Sequence, residues 1–291
     1  MAKDWNQSYN KEDNSELRKL QLTILDIVKL FAEICEKHNL RYFMVGGTML
    51  GAARHQGFIP WDDDIDMGMP REDYEKFLTI VGDELPEGYE FLNYKINPEY
   101  KRYFSRIVDT NVEIHNASNS KEIIENAWID IFPHDGMPKT KIGQRFHFWR
   151  LAGLRLLYHM SCFDELVNLN RPGRPKYQQM IINFLHKTKL GHNLNTIKLM
   201  KKIEKGLCRY SFDEADTVVS FFGAYMSREI IKKSILGDLP YYSFEDTKLR
   251  GVEQYDELLT HLYGDWRTPP SDADKDKHNI KAIVYKDERG A

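Results

Sequence analysis

Cysteine is scarce in this chain of 291 residues: Cys35, Cys162 and Cys208 are all it has, widely spaced and odd in number. That spacing excludes a disulfide framework and a zinc knuckle, and it fits reduced thiols. Long apolar runs are absent as well. No window approaches the roughly eighteen uncharged residues of a spanning helix, and the opening MAKDWNQSYNKEDN lacks the apolar stretch of a signal peptide. The expected location is therefore cytoplasmic, with peripheral contact at the inner membrane face left open. Neither sign of charge is in excess, since the net charge is −3. No global pull toward nucleic acid follows from it, and an anionic substrate has to be held by local basic residues and metal. Internal repeats, low-complexity tracts, Walker-type loops and G-x-G-x-x-G turns are missing too. His55, His134 and His278 have no partner at the spacing of a nucleophilic triad.

What is present is a hydrophobic content of 42% and a charged content of 29%, the balance of a globular chain long enough for a full core. Asp13 and Glu16 resemble a capping box. Leu17, Leu20, Ile24, Ile27, Val28, Phe31, Ile34 and Cys35 then recur at helical spacing to about His38. A short strand is predicted over 41–45, a tight turn at Gly46-Gly47-Thr48, a short helix over 48–55, a strand over 63–69 closed by Pro70, and a helix over 72–81. Further strands are expected at 89–94, 103–108 and 128–132, with 111–126 a polar loop carrying a short helical piece. A mixed α/β half thus occupies about 15–138. Long helical patterns fill 142–208, divided by the loop NLNRPGRPK; Arg171, Arg174, Lys176, Lys187 and Lys189 read there as a solvated face. A strand at 218–222 and a helix over 253–262 lead into Tyr263-Gly264-Asp265-Trp266, Pro269-Pro270 and a charged tail.

The chemistry concentrates between Val45 and Arg71. In an extended segment alternate side chains share a face, so Asp64 and Asp66 point one way and Ile65, Met67 and Met69 the other. Two converging carboxylates repel unless a cation lies between them or one is protonated. Paired oxygen donors on a stiff strand suit Mg²⁺ or Mn²⁺. A glycine turn entering a helix lets backbone approach a phosphate, with N–H groups free at the helix N-terminus. Asp62, Asp64, Asp66 and Asp73 superficially match a calcium-binding loop, but Met67 stands where that loop requires glycine. Asp130 is a lone carboxylate in the apolar run Trp128-Ile129-Asp130-Ile131-Phe132. It is either paired with a buried arginine such as Arg106, or it completes a triad with Asp64 and Asp66 as metal ligand or proton acceptor. Arg54, Arg71, Lys101, Arg102 and Arg106 are the cations available to phosphate, with Arg54 and Arg106 favoured because they lie in or beside the motif-bearing elements.

Three segments, MVGGTMLGAARHQGFIPWDDDIDMGMPREDYEKFL over 44–78, WIDIFPHDGMP over 128–138 and YGDWRTPP with a following histidine over 263–278, resemble the LicD family. That family is a branch of the nucleotidyltransferase-fold superfamily and is also similar to the fukutin group. The resemblance implies an α/β (α+β) core over 13–138 with a mixed sheet and flanking helices, a helical insertion or annex over 139–210, and a C-terminal region over 211–291 completing the LicD-type domain. It further implies metal-dependent transfer of a phospho-substituent from a CDP-activated donor, typically CDP-choline or a CDP-alditol, to a hydroxyl of a glycan acceptor. On that basis the expected acceptor is a lipid-linked teichoic acid or lipopolysaccharide precursor, and CMP is released. By motif position, Gly46, Gly47 and Thr48 contact donor phosphate, Asp64 and Asp66 bind Mg²⁺ or Mn²⁺, and Asp130 is the third acid. Asp62 and Asp63 support the ligand pair, while Tyr263, Gly264 and Asp265 shape the pocket. Nucleotidyl transfer with pyrophosphate release is the alternative reaction.

Overall fold

In the computed structural model, residues 15–116, 123–163, 175–271 and 280–286 are described. Arg171, Arg174, His278 and Asp13 lie outside them. Helix α1 (Glu16–Lys37) is capped by Ser15, whose hydroxyl accepts from the Arg18 N–H. Its apolar stripe, Leu20, Ile24, Ile27, Val28 and Phe31, is fully buried. The stripe packs on one face of the sheet, against Ile65, Met67, Met69, Ile129 and Ile131.

The sheet builds up in order along the chain. Strand β1 (Phe43–Met44), helix α2 (Gly46–His55), strand β2 (Asp66–Pro70) and helix α3 (Arg71–Glu84) precede β3 (Tyr89–Leu92), β4 (Ser105–Asn116) and β5 (Ile123–Gly136). The main path runs β1-β2-β5-β4-β10, where β10 is Ile280–Tyr285. Only β2 and β5 pair in parallel along it; β1 with β2, β5 with β4 and β4 with β10 are antiparallel. This is a mixed α+β architecture. The buried Arg71 guanidinium locks the start of α3 to the end of β5 through Asp135, at 2.6 and 2.9 Å.

Among the described residues three helices follow: α4 (Lys141–Ser161), α5 (Lys176–Thr188) and α6 (Thr196–Leu207). A second core forms where Phe148, Leu151 and Tyr158 of α4 meet Met200, Ile203 and Leu207 of α6. Beyond them β6 (Thr217–Val219) pairs with the end of β5 and with β7 (Ile230–Lys232). A hairpin, β8 (Tyr241–Phe244) with β9 (Thr247–Arg250), and helix α7 (Tyr255–Tyr263) complete the described chain before β10. Leu258 and Leu262 of α7 join Phe43, Ile231, Leu236 and Val252 in a core on the face of the sheet opposite α1.

Several expectations are corrected. The polar segment 111–126 is no loop over its described part: β4 runs on to Asn116 and β5 begins at Ile123. Val112 and Ile114 are buried while their neighbours face outward, and pairing with β10 supplies the backbone partners that the local sequence does not advertise. The strand expected at 41–45 shrinks to two residues, and α2 starts at Gly46 rather than Thr48. The strand at 218–222 covers 217–219. The hairpin β8–β9 was not foreseen; its alternation is set by tertiary packing of Phe244 and Leu249 into the core under α1.

Candidate active site

The site is assembled by the short stretch β1-α2-β2. The Val45 N–H donates to the Asp66 carbonyl at 3.2 Å, the Asp130 N–H to the Ile65 carbonyl at 2.9 Å, and the Asp66 N–H to the Thr48 hydroxyl at 2.8 Å. Asp66 is thereby held from three sides by backbone and by the first turn of α2. Gly46 has φ +54°, the left-handed region that favours glycine. A side chain there would meet the Asp66 carboxylate at 3.4 Å, and one at Gly47 would meet Asp62 Oδ2 at 2.9 Å. The two glycines therefore let the acidic segment lie directly against the N-terminal turn of α2, where backbone N–H groups lack intrahelical acceptors.

Asp66 and Asp130 are register partners across parallel β2 and β5, so their side chains stand on the same face. The carboxylates of Asp62, Asp63 and Asp64 each offer an oxygen within 4.8 Å of the others. Burial pushes the Asp64 carboxyl well above its usual range, and the charges of Asp66, Asp62, Asp63 and Asp130 add to that. Asp66 is raised in the same way by burial, then by Asp130 and Asp62, with Arg106 opposing. This is a set of hard oxygen donors whose mutual repulsion a divalent cation would relieve, so its chemistry fits Mg²⁺ or Mn²⁺. Gln21, a buried amide on the otherwise apolar face of α1, donates to the Asp62 carbonyl at 2.8 Å and fixes the turn that carries the cluster. It went unnoticed in the sequence, where the only sign was a polar side chain next to Leu20 in the apolar stripe.

These carboxylates open onto a cavity of about 500 Å³ between the sheet and the C-terminal region. Gly46, Gly47, Asp64, Asp66 and Asp130 are on its wall, as are Asp62 and Tyr263. Thr48, Arg54 and Arg106 are not on that wall: Thr48 is buried beneath it, supporting Asp66. Arg54 donates to the Trp266 carbonyl at 2.9 Å and to His55 Nε2 at 3.0 Å. Arg106 donates to Asp130 Oδ1 at 2.6 Å and to Glu125 at 2.8 Å, and lies 4.2 Å over the Trp128 ring. Asp130 is thus the partner of the buried Arg106, and it is also a wall residue beside Asp66. Of the 263–266 segment, Tyr263 reaches the cavity and Trp266 packs in the core, whereas Gly264 and Asp265 are exposed.

The rest of the wall mixes aromatic rings with aliphatic side chains such as Leu50, Ile59, Ile231, Leu236, Val252 and Leu258. The rings of Phe104 and Phe132 lie 4.6 Å apart, Tyr225 meets Tyr263 edge-on at 5.3 Å, and Phe43, Phe222 and Trp61 are further rings on it. Glu229 adds a fifth carboxylate to Asp62, Asp64, Asp66 and Asp130, while no lysine or arginine is on the wall among the described residues. Burial raises the Glu229 carboxyl, although the Tyr225 N–H donates to it at 3.1 Å. Nothing in the stretch Met226-Ser227-Arg228-Glu229 marked it as a site residue, because its role depends on the fold of a distant segment.

A family model described as LicD/FKTN/FKRP, nucleotidyltransferase domain, matches residues 39–148 and so spans the whole acidic segment and Asp130. Over 271 residues the chain is 31% identical to the lipopolysaccharide cholinephosphotransferase LicD of Haemophilus influenzae, covering 91% of this chain and 96% of that protein. The chain belongs to the LicD family. It is a LicD-type phosphotransferase. An uncharacterised protein of Rickettsia typhi is 40% identical over 155 residues, 53% of this chain and 46% of its own length. Human ribitol 5-phosphate transferase FKRP is 50% identical over 51 residues, 18% of this LicD-family chain and 10% of FKRP, which links it to the fukutin group.

Proposed function

We propose that the protein transfers phosphocholine from CDP-choline to a sugar hydroxyl of a lipopolysaccharide or teichoic acid precursor, releasing CMP. The observation that carries this reading is the cavity wall: five carboxylates and a set of aromatic rings, with no lysine or arginine on it among the described residues. Such a wall suits a donor with a cationic head, because aromatic faces and carboxylates attract a quaternary ammonium. Similarity to the H. influenzae cholinephosphotransferase supports the same donor class.

Asp64 and Asp66, with Asp130 and their neighbours Asp62 and Asp63, would hold Mg²⁺ or Mn²⁺, which neutralises donor phosphate and the charge that develops as CMP leaves. Gly46 and Gly47 bring the N–H groups of the first α2 turn to the donor phosphate, a role expected of helix N-termini. Thr48 acts from behind by fixing Asp66. The acceptor oxygen attacks the phosphorus bearing choline, its bond to the CMP phosphate oxygen breaks, and CMP takes that electron pair. Asp130, whose carboxylate accepts from Arg106 at 2.6 Å, would either complete the metal set or receive the hydroxyl proton.

A second reading, transfer of an alditol phosphate, draws on the likeness to FKRP. A panel of CDP donors with CMP release as readout, run with and without Mg²⁺, decides between them. CMP release from CDP-choline with phosphocholine on the glycan supports the first reading. Turnover of CDP-ribitol alone supports the second, and pyrophosphate release would overturn both.

A further inference from the structure

Helix α4 has two apolar faces where a helix on a globular core needs one. The inner face, Phe148, Leu151 and Tyr158, is buried. The outer face carries Ile142, Phe146, Trp149 and Leu156, spaced by four, three and seven residues and therefore aligned along one side, with Leu157 at the edge of the stripe. Phe146 is 72% exposed and Trp149 64%. Helix α5 repeats the pattern: Tyr177, Met180, Ile181 and Phe184 share one side, all exposed, and none of the helix is buried. It returns beside the end of α4, with the Phe163 and His186 rings 6.3 Å apart. Isolated exposed apolar residues need no explanation, but two aligned stripes on neighbouring helices do.

Charge says what covers them. Residues 139–207 contain fourteen Lys and Arg against three acids, in a chain whose net charge is −3. Helical geometry places Arg145 and Arg150 on opposite flanks of the α4 stripe, and Lys176 and Lys187 at the border of the α5 stripe; all four are exposed. A second copy docked through this face would bring two strongly basic segments together, so like charge opposes it. We propose that α4 and α5 lie on an anionic lipid bilayer, with the aromatic and aliphatic stripes in the headgroup–acyl boundary and the flanking Lys and Arg on lipid phosphates. No helix among the described residues is long and apolar enough to cross a membrane, so the contact is one of lying on the surface. The opposite face of α4 packs on a wall residue of the active-site cavity. Arg155 lies 5.0 Å over the ring of the cavity residue Phe222, and Tyr158 meets that ring edge-on at 5.8 Å. One helix thus separates the bilayer surface from the cavity wall.

Co-sedimentation of the full chain with vesicles tests this. Phosphatidylglycerol-containing vesicles should pull the protein down, phosphatidylcholine vesicles should not, and 0.5 M salt should weaken the binding at least tenfold. The double variant Phe146→Ser/Trp149→Ser should bind at least tenfold more weakly with an unchanged melting temperature, because both side chains are exposed; Arg145→Glu/Arg150→Glu is a second variant expected to do the same. Failure to bind phosphatidylglycerol vesicles, binding unaffected by both variants, or a dimer that the first variant abolishes would overturn the proposal.

Discussion

Asp66 and Asp130 stand side by side on adjacent parallel strands, and the Arg106 guanidinium binds only the second of them, at 2.6 Å. The first is left to its acidic neighbours, Asp62 and Asp64, and to the helix turn at Gly46. Without a cation the pair is an electrostatic burden on the fold.

That burden has a measurable sign. Asp64 and Asp66 have folded values raised above their ordinary one, so their contribution is favourable in acid and is lost as pH rises through the raised value. At neutral pH in chelator, Asp64→Asn or Asp66→Asn should therefore melt higher than the parent. Addition of Mg²⁺ should raise the parent's melting temperature and leave the variants unmoved, while CMP release from CDP-choline falls at least a hundredfold in both. A variant that melts lower in chelator, or retains turnover, would contradict the assignment.

Gly47→Ala separates packing from propensity. Alanine gains about 1 kcal/mol in a helix, but its Cβ would sit 2.9 Å from Asp62 Oδ2 and push that carboxylate away, at a cost of about 1–3 kcal/mol. Stability should change little, and the Mg²⁺ concentration needed for half-maximal turnover should rise several-fold. Titration of CMP release against Mg²⁺ gives the answer.

Glu229→Gln removes the cavity carboxylate beside Tyr225 while keeping its shape. The KM for CDP-choline should rise about tenfold, with kcat changed less, and the KM for CDP-ribitol should stay the same. An equal effect on both donors would assign Glu229 to the fold rather than to the cationic head.

The buried histidines should make acid unfavourable well above the carboxylate range. Burial pushes His134 down to about 4, with Arg71 adding to the effect and the Phe132 carbonyl opposing it. Between its unfolded value near 6.5 and about 4 the unfolded chain binds a proton that the native chain does not, so stability declines as pH falls through that window. For this one buried ring the loss reaches roughly 3 kcal/mol. His55, His147 and His159 shift in the same direction through burial. In urea denaturation from pH 7.5 to 4.5 this decline is opposed by Asp64 and Asp66, whose raised values act with the other sign, so the check is the variant: His134→Gln should lose less stability than the parent over that range.

The acidic segment was legible because its signals are local. Alternation put Ile65, Met67 and Met69 in the core and Asp64 and Asp66 on the other side, and the cavity receives those two carboxylates together with Gly46, Gly47 and Asp130. Arg54 and Arg106 lie in or beside the motif-bearing elements in sequence. The first is turned to the Trp266 carbonyl and the second is held by Asp130 and Glu125, so neither reaches the cavity wall. An arginine's reach depends on which buried acceptors lie around it, and sequence spacing does not report those.

By itself, then, the sequence determined the period of the long helices, the two faces of the acidic segment, the paired glycines and the family motifs. Each follows from backbone geometry repeated over a few residues. Tertiary structure alone decided that β2 and β5 pair in the register that joins Asp66 to Asp130, and that Gln21 braces the acidic turn. It also brought Glu229 and Tyr225 to the same cavity as Asp62, Asp64 and Asp66, which lie more than a hundred and fifty residues earlier. Those contacts are fixed by how separate apolar faces bury one another, and no single segment carries that information.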